Sequence, residues 1–151
     1  METKIKRDEI FTGKVIHVVK DEVRLEDGNT SSREVVYHNG GVCIALKDLS
    51  DHKFFMVKQF RYAHNTELLE FCAGKIEKGE EPDLAIEREC VEELGYKAKN
   101  ITKFPYMIPT CGYSSEKIYL YYGESDEKVG QHFDFDEDIK VINIVLEKSK
   151  I

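Results

Sequence analysis

The stretch GKIEKGEEPDLAIERECVEELGY, from Gly74 to Tyr96, constrains this chain more than any other. It reads as a loop feeding a helix. Pro82 and Asp83 suit a first helical turn, where a missing N–H costs little and a negative charge meets the positive end of the helix dipole. Gly95 suits the left-handed position that ends a helix. Between them Glu89, Glu92 and Glu93 stand at i, i+3 and i+4, so their carboxylates project from one side. Glu80 lies just ahead and can turn back toward them. Like charges this close repel, by roughly a few tenths of a kcal/mol per exposed pair. Something positive is expected among them, and hard oxygen ligands suit Mg²⁺ or Mn²⁺.

A glutamate-rich helix on its own would read as a solvated acidic face. Such a face requires neither Gly74, nor Arg88, nor a fixed register. Here the spacing is G-x5-E-x7-R-E-x-x-E-E-x-G, with Gly74, Glu80, Arg88, Glu89, Glu92, Glu93 and Gly95 at the fixed places. This pattern resembles the Nudix box, the signature of hydrolases that act on a nucleoside diphosphate linked to another moiety. Cys90 and Tyr96 fill its flexible apolar slots.

At 151 residues the chain is expected to be one domain with a sizeable core. No apolar run approaches the roughly 20 residues of a membrane span, and the N-terminus lacks the apolar centre of a signal peptide. A cytoplasmic location is the expectation. Cys43, Cys72, Cys90 and Cys111 are widely spaced, which predicts free thiols rather than disulfides or a zinc site. The net charge of −7 disfavours a general nucleic-acid binder. It also means that an acidic pocket cannot attract a pyrophosphate unaided, whereas bound divalent cations would reverse the local charge.

Taken in order, residues 1–10 are charged and frayed or extended. Phe11 to Leu25 carries strand character. Asp27-Gly28-Asn29 predicts a hairpin turn, and Arg33 to Tyr37 a short strand. Val42–Leu46 and Phe54–Phe60 read as a core strand pair, and Thr66–Phe71 leads into the Gly74 loop. After the helix, Ala98–Tyr106 and Glu116–Tyr122 read as strands, Ser125–Asp138 as a long acidic loop, and Ile139–Leu146 as a final strand.

Beyond the box, IFTGKVIHV, REVVYHNGGV, MVKQFRYAHNTELLEFCAGKIEKGE and DEDIKVINI are similar to the ADP-ribose pyrophosphatase branch of the Nudix superfamily. The resemblance implies an α+β Nudix fold: an α/β/α sandwich with a mixed sheet, forming a single domain over 1–151. Its N-terminal β subdomain, about residues 1–40, would swap onto the partner in a homodimer. The implied activity is hydrolysis of ADP-ribose to AMP and ribose 5-phosphate with Mg²⁺ or Mn²⁺. Glu89, Glu92, Glu93 and the carbonyl of Ala73 would hold metal, and Arg88 would fix a box carboxylate. Arg33, Glu34, Arg61 and Glu116 would contact substrate. Glu137, on the acidic loop, would serve as base, metal ligand or both.

Two departures bear on the substrate. Cys72 stands where the family usually has proline ahead of Ala-Gly. Cys111 stands at the proline sixteen residues past Gly95 that marks ADP-ribose enzymes. A UDP- or GDP-sugar substrate therefore stays open, as does a non-catalytic sensor that binds ADP-ribose-like ligands. The family also carries a further C-terminal helix beyond DEDIKVINIV. The expectation is that the chain is cut short or that the partner covers that face.

Overall fold

The computed structural model describes residues 1–132 and 139–145. They fall into two compact units, one of Met1–Gly40 with Met107–Ile118, the other of Gly41–Tyr106 with the chain from Tyr119 onward. The first unit thus takes in a later segment as well as the N-terminal forty residues.

The first unit is built on three antiparallel strands in the order β1-β2-β3: β1 (Thr3–Thr12), β2 (Ile16–Arg24) and β3 (Thr30–His38). The strand character expected over Phe11–Leu25 is present but not continuous. A turn divides it, with the Gly13 N–H donating to the Ile16 carbonyl at 2.9 Å. The charged N-terminus forms a full strand because its charges find partners across the sheet. Arg7 donates two hydrogen bonds to the buried Asp21 carboxylate, each 2.7 Å, and a third to the Tyr37 hydroxyl at 2.7 Å. That guanidinium holds Asp21 below the usual carboxylate range. The predicted Asp27-Gly28-Asn29 turn is present, with Gly28 at φ +87°.

The second unit carries a seven-stranded sheet of order β10-β5-β4-β9-β8, with β6 on β5 and β7 on β4. Its strands are β4 (Gly41–Lys47), β5 (Phe54–Arg61), β6 (Thr66–Glu70), β7 (Cys72–Lys75), β8 (Tyr96–Lys103), β9 (Ile118–Lys128) and β10 (Ile139–Ile144). β4 and β5 meet at Lys47 and Phe54. Residues 66–75 then pair with each in turn: Glu70 lies opposite Val57 on β5, Cys72 opposite Ile44 on β4. Phe71 is the crossing point, and it delivers Ala73 and Gly74 beside β4.

The acidic stretch after Ser125 does not begin a loop. β9 runs on to Lys128 because its acids have partners on β8: Glu124 with Asn100, Asp126 with Lys99, Glu127 with Lys97.

α1 (Pro82–Glu89) follows, with Glu81 extended at its N-cap. It passes directly into a π-helical turn, Cys90–Leu94, which ends at Gly95 with φ +75°, the left-handed stop the sequence predicts. Ala85, Ile86, Cys90 and Leu94 enter a core with Val42, Ile44, Leu46, Val57, Cys72 and Tyr121. Full burial of Ile86 alone contributes about 2 kcal/mol. Among the described residues this is the one helix longer than a single turn, and it supplies one helical layer of the α+β fold. Among them, too, no helix is long and apolar enough to cross a membrane.

Candidate active site

Packing brings the box residues together in the second unit. The helix lays its inner face on β4 and β7, so the side chain of Glu89 comes to lie against Gly74. An ideal Cβ on Gly74 would stand 1.8 Å from the Glu89 carboxyl carbon. Only the missing side chain lets the carboxylate rest there. Glu89 and Glu93 are buried, 7% and 2% exposed, which for carboxylates demands partners. Glu93 Oε2 accepts the Ala73 N–H at 3.3 Å. Glu89 Oε1 accepts from Arg88 Nη1 at 2.8 Å.

Arg88 does more than the expected pairing with one carboxylate. Its Nη1 also reaches Glu92 Oε2 at 2.7 Å, and its Nε and Nη2 grip both oxygens of Glu80 at 2.9 and 3.0 Å. Nη2 further donates to the Lys75 carbonyl at 3.1 Å, tying the helix to the end of β7. The fork of donors on a planar guanidinium is what permits so many partners. Hydrogen bonding from Arg88 holds Glu80 below the usual carboxylate range, against the pull of burial. The same bonds push Arg88 above its ordinary value. Glu80 accepts the Glu77 N–H as well, at 2.9 Å, which closes the loop ahead of the helix.

Among the described residues, no three His, Cys, Asp or Glu side chains converge as they would around an ion. Arg88 places a positive charge among the carboxylates. By chemical type the carboxylate oxygens of Glu89, Glu92 and Glu93 would suit a hard divalent cation, and Gly74 leaves room for the Glu89 carboxylate against the β7 backbone.

The two unusual cysteines of the box region are neighbours. Cys72 on β7 and Cys90 at the start of the π turn are both fully buried. The hydrogen bond between their thiols, with burial, raises Cys72 well above the ordinary thiol value. Cys43 lies opposite Ala73 on β4. Burial and then the charges of Glu70 and Glu93 push its thiol up to about 11, so it is neutral near pH 7 and no nucleophile.

The residues expected to contact substrate each have partners within their own unit. Arg61, at the end of β5, makes a two-pronged pair with Glu70 at 2.7 and 2.8 Å. In the first unit, Arg33 pairs with Glu2, and Glu34 is exposed opposite Lys20. Also in that unit, Glu116 stands 3.6 Å from His38 Nδ1, with its N–H on the Ser114 hydroxyl at 3.1 Å. Glu137 lies outside the described residues. Sequence reasoning missed the residues after β9: the Gln131 amide reaches the Glu93 carbonyl, and nothing in the pattern marks a contact between positions 38 apart.

The sequence profile of the NUDIX domain matches residues 37–144. ADP-ribose pyrophosphatase of Bacillus subtilis (strain 168) is 37% identical over 148 residues, covering 97% of this chain and 80% of its own. The methanol dehydrogenase activator of Bacillus methanolicus is 34% identical over 150 residues, covering 98% and 80%. GDP-mannose pyrophosphatase of Escherichia coli O1:K1 / APEC is 28% identical over 152 residues, covering 93% and 78%. A crystal structure of an ADP compounds hydrolase superposes with a TM-score of 0.80 at 17% identity, over 94% of this chain and 77% of that one, which supports the fold. With the box geometry and the profile over most of the chain in agreement, this protein belongs to the Nudix family and is a Nudix hydrolase.

Proposed function

We propose that this chain hydrolyses the pyrophosphate bond of ADP-ribose or a closely related nucleoside diphosphate sugar, giving a nucleoside monophosphate and a sugar phosphate. The observation that carries this reading is the buried carboxylate pair, Glu89 and Glu93, held against Ala73–Gly74 beside Arg88. Similarity to the ADP-ribose pyrophosphatase of B. subtilis favours the adenosine compound. Similarity to a GDP-mannose pyrophosphatase keeps a GDP-sugar as the second reading.

In the reaction, a water oxygen bonds to one phosphorus and the bond from that phosphorus to the bridging oxygen breaks. Glu89, Glu92, Glu93 and the Ala73 carbonyl would hold Mg²⁺ or Mn²⁺, which would supply an acidified water and charge neutralisation at the phosphoryl oxygens. Arg88 fixes the orientation of Glu80, Glu89 and Glu92. Glu137 takes the proton from water, or completes the metal set. Arg33, Glu34, Arg61 and Glu116 are assigned to substrate, and an arginine fork suits a phosphate. The location is cytoplasmic. The chain works as one domain and as a homodimer: β1 is the edge of its sheet and, with the β1–β2 turn, exposes Ile5, Ile10, Phe11 and Val15. A monomer in sedimentation at micromolar concentration would contradict the dimer.

The test is a product assay with Mg²⁺ against ADP-ribose, UDP-glucose and GDP-mannose. The reading expects AMP and ribose 5-phosphate, with kcat/KM highest for ADP-ribose. Preference for GDP-mannose would favour the second reading, and no turnover of any of them would favour a sensor.

A further inference from the structure

The Nudix helix ends in a way that costs something. Glu92 and Glu93 sit in its last turn, where carbonyl dipoles present negative charge to carboxylates. That turn is also π-helical, Cys90–Leu94. A π turn is looser than the about 3.6 residues per turn of an α-helix, and it re-aims every side chain beyond the switch. Its final carbonyls have no helical partners.

Residues 129–132 supply those partners. The Val129 and Gly130 N–H groups donate to the Gly95 carbonyl at 2.8 and 3.2 Å, and the His132 N–H donates to the Glu92 carbonyl at 3.0 Å. The Gln131 side-chain amide donates to the Glu93 carbonyl at 2.7 Å. Gly95 makes room for this, since a Cβ there would lie 3.0 Å from Gln131 Cγ.

We infer that Gln131 is a positioning residue for the reaction: by capping the Glu93 carbonyl it holds the π turn that aims Glu92 and Glu93. The amide also sets a positive N–H at the negative end of the helix, which eases the burial of Glu93. This inference rests on the assignment of Glu92 and Glu93 to metal.

The test reads metal binding alone, by electron paramagnetic resonance of free Mn²⁺ titrated with metal-free full chain. Gln131→Met keeps the bulk and removes the donor. It is expected to bind Mn²⁺ about tenfold more weakly, the scale for losing a group that orients a ligand. Gln131→Asn, too short to reach, is expected to do the same, and Gln131→Arg, which keeps an N–H donor, to restore binding. Unchanged Mn²⁺ affinity in Gln131→Met and Gln131→Asn, with only Tm lowered, would overturn the inference. Wild-type protein that binds no Mn²⁺ would overturn it together with the metal assignment. Failure to hydrolyse any nucleotide sugar would count against the proposed function but leave this readout unaffected.

Discussion

Gly74 and Glu89 claim the same space: the Glu89 carboxyl carbon lies 1.8 Å from where a Cβ on Gly74 would be. Gly74 does not take a positive φ, so room, not backbone freedom, is what requires glycine there. Gly74→Ala must therefore displace Glu89. We expect a loss of kcat of about a hundredfold, on the scale of losing a charge-stabilising group. Overpacking should add a stability loss of about 1–3 kcal/mol. Steady-state kinetics and urea unfolding together check this, and an alanine variant with normal kcat would mean that Glu89 is not needed where it sits.

Arg88 grips Glu80, Glu89 and Glu92 together. Arg88→Ala leaves those carboxylates facing each other, and should cost about 2 kcal/mol in metal-free protein. Saturating Mg²⁺ should recover part of that loss, because a cation then sits among the acids. Thermal unfolding with and without Mg²⁺ measures the difference. Equal losses under both conditions would count against the arginine as counter-charge. Lysine at this position should not substitute, having a point charge in place of a fork.

At the other end of the helix, Asp83 Oδ1 accepts from Lys103 Nζ and from the Tyr121 hydroxyl, both at 2.6 Å. Lys103 first, then Tyr121, lowers the Asp83 carboxyl below its ordinary 3.8. A depressed carboxylate contributes stability that is present above the ordinary value and lost as pH falls through the depressed one. Asp83→Asn should thus lower stability at neutral pH and flatten the acid limb below pH 3.8. The side chain is exposed, so the effect should be small and shrink in salt. Urea midpoints across pH 2–7 check it, and an unchanged acid limb would refute it.

The proposed proton acceptor is Glu137 and the proposed substrate contact Glu116. Glu137→Gln should lower kcat strongly with KM little changed, while Glu116→Gln should mainly raise KM. The reverse pattern would exchange the two roles.

Much of the site was legible in the sequence because its parts are local. Gly74, Glu80, Arg88 and Glu89 carry a fixed spacing, and helix geometry turns that spacing into contact. Gly95 also ends the helix as its residue type predicts. The rest depended on tertiary partners. Cys72 and Cys90 read as separate oddities, yet they touch, because β7 passes under the start of the π turn. The π turn itself has no signature that separates it from an α turn. The strands at Thr3–Thr12 and Ser125–Lys128 were hidden by their charges, and only the partners Asp21, Lys97 and Lys99 explain why those charges are tolerated in a sheet. Gln131 carried no signal at all.

The most direct test of the account is AMP release from ADP-ribose by wild type and Glu93→Gln, each with Mg²⁺ and with excess chelator. Glu93 is 2% exposed and paired to a backbone N–H, so glutamine fits the site but removes the charge. The account predicts turnover by wild type in Mg²⁺, none in chelator, and a rate lower by about a hundredfold or more in Glu93→Gln. Full turnover in chelator, or a glutamine variant as fast as wild type, would contradict it.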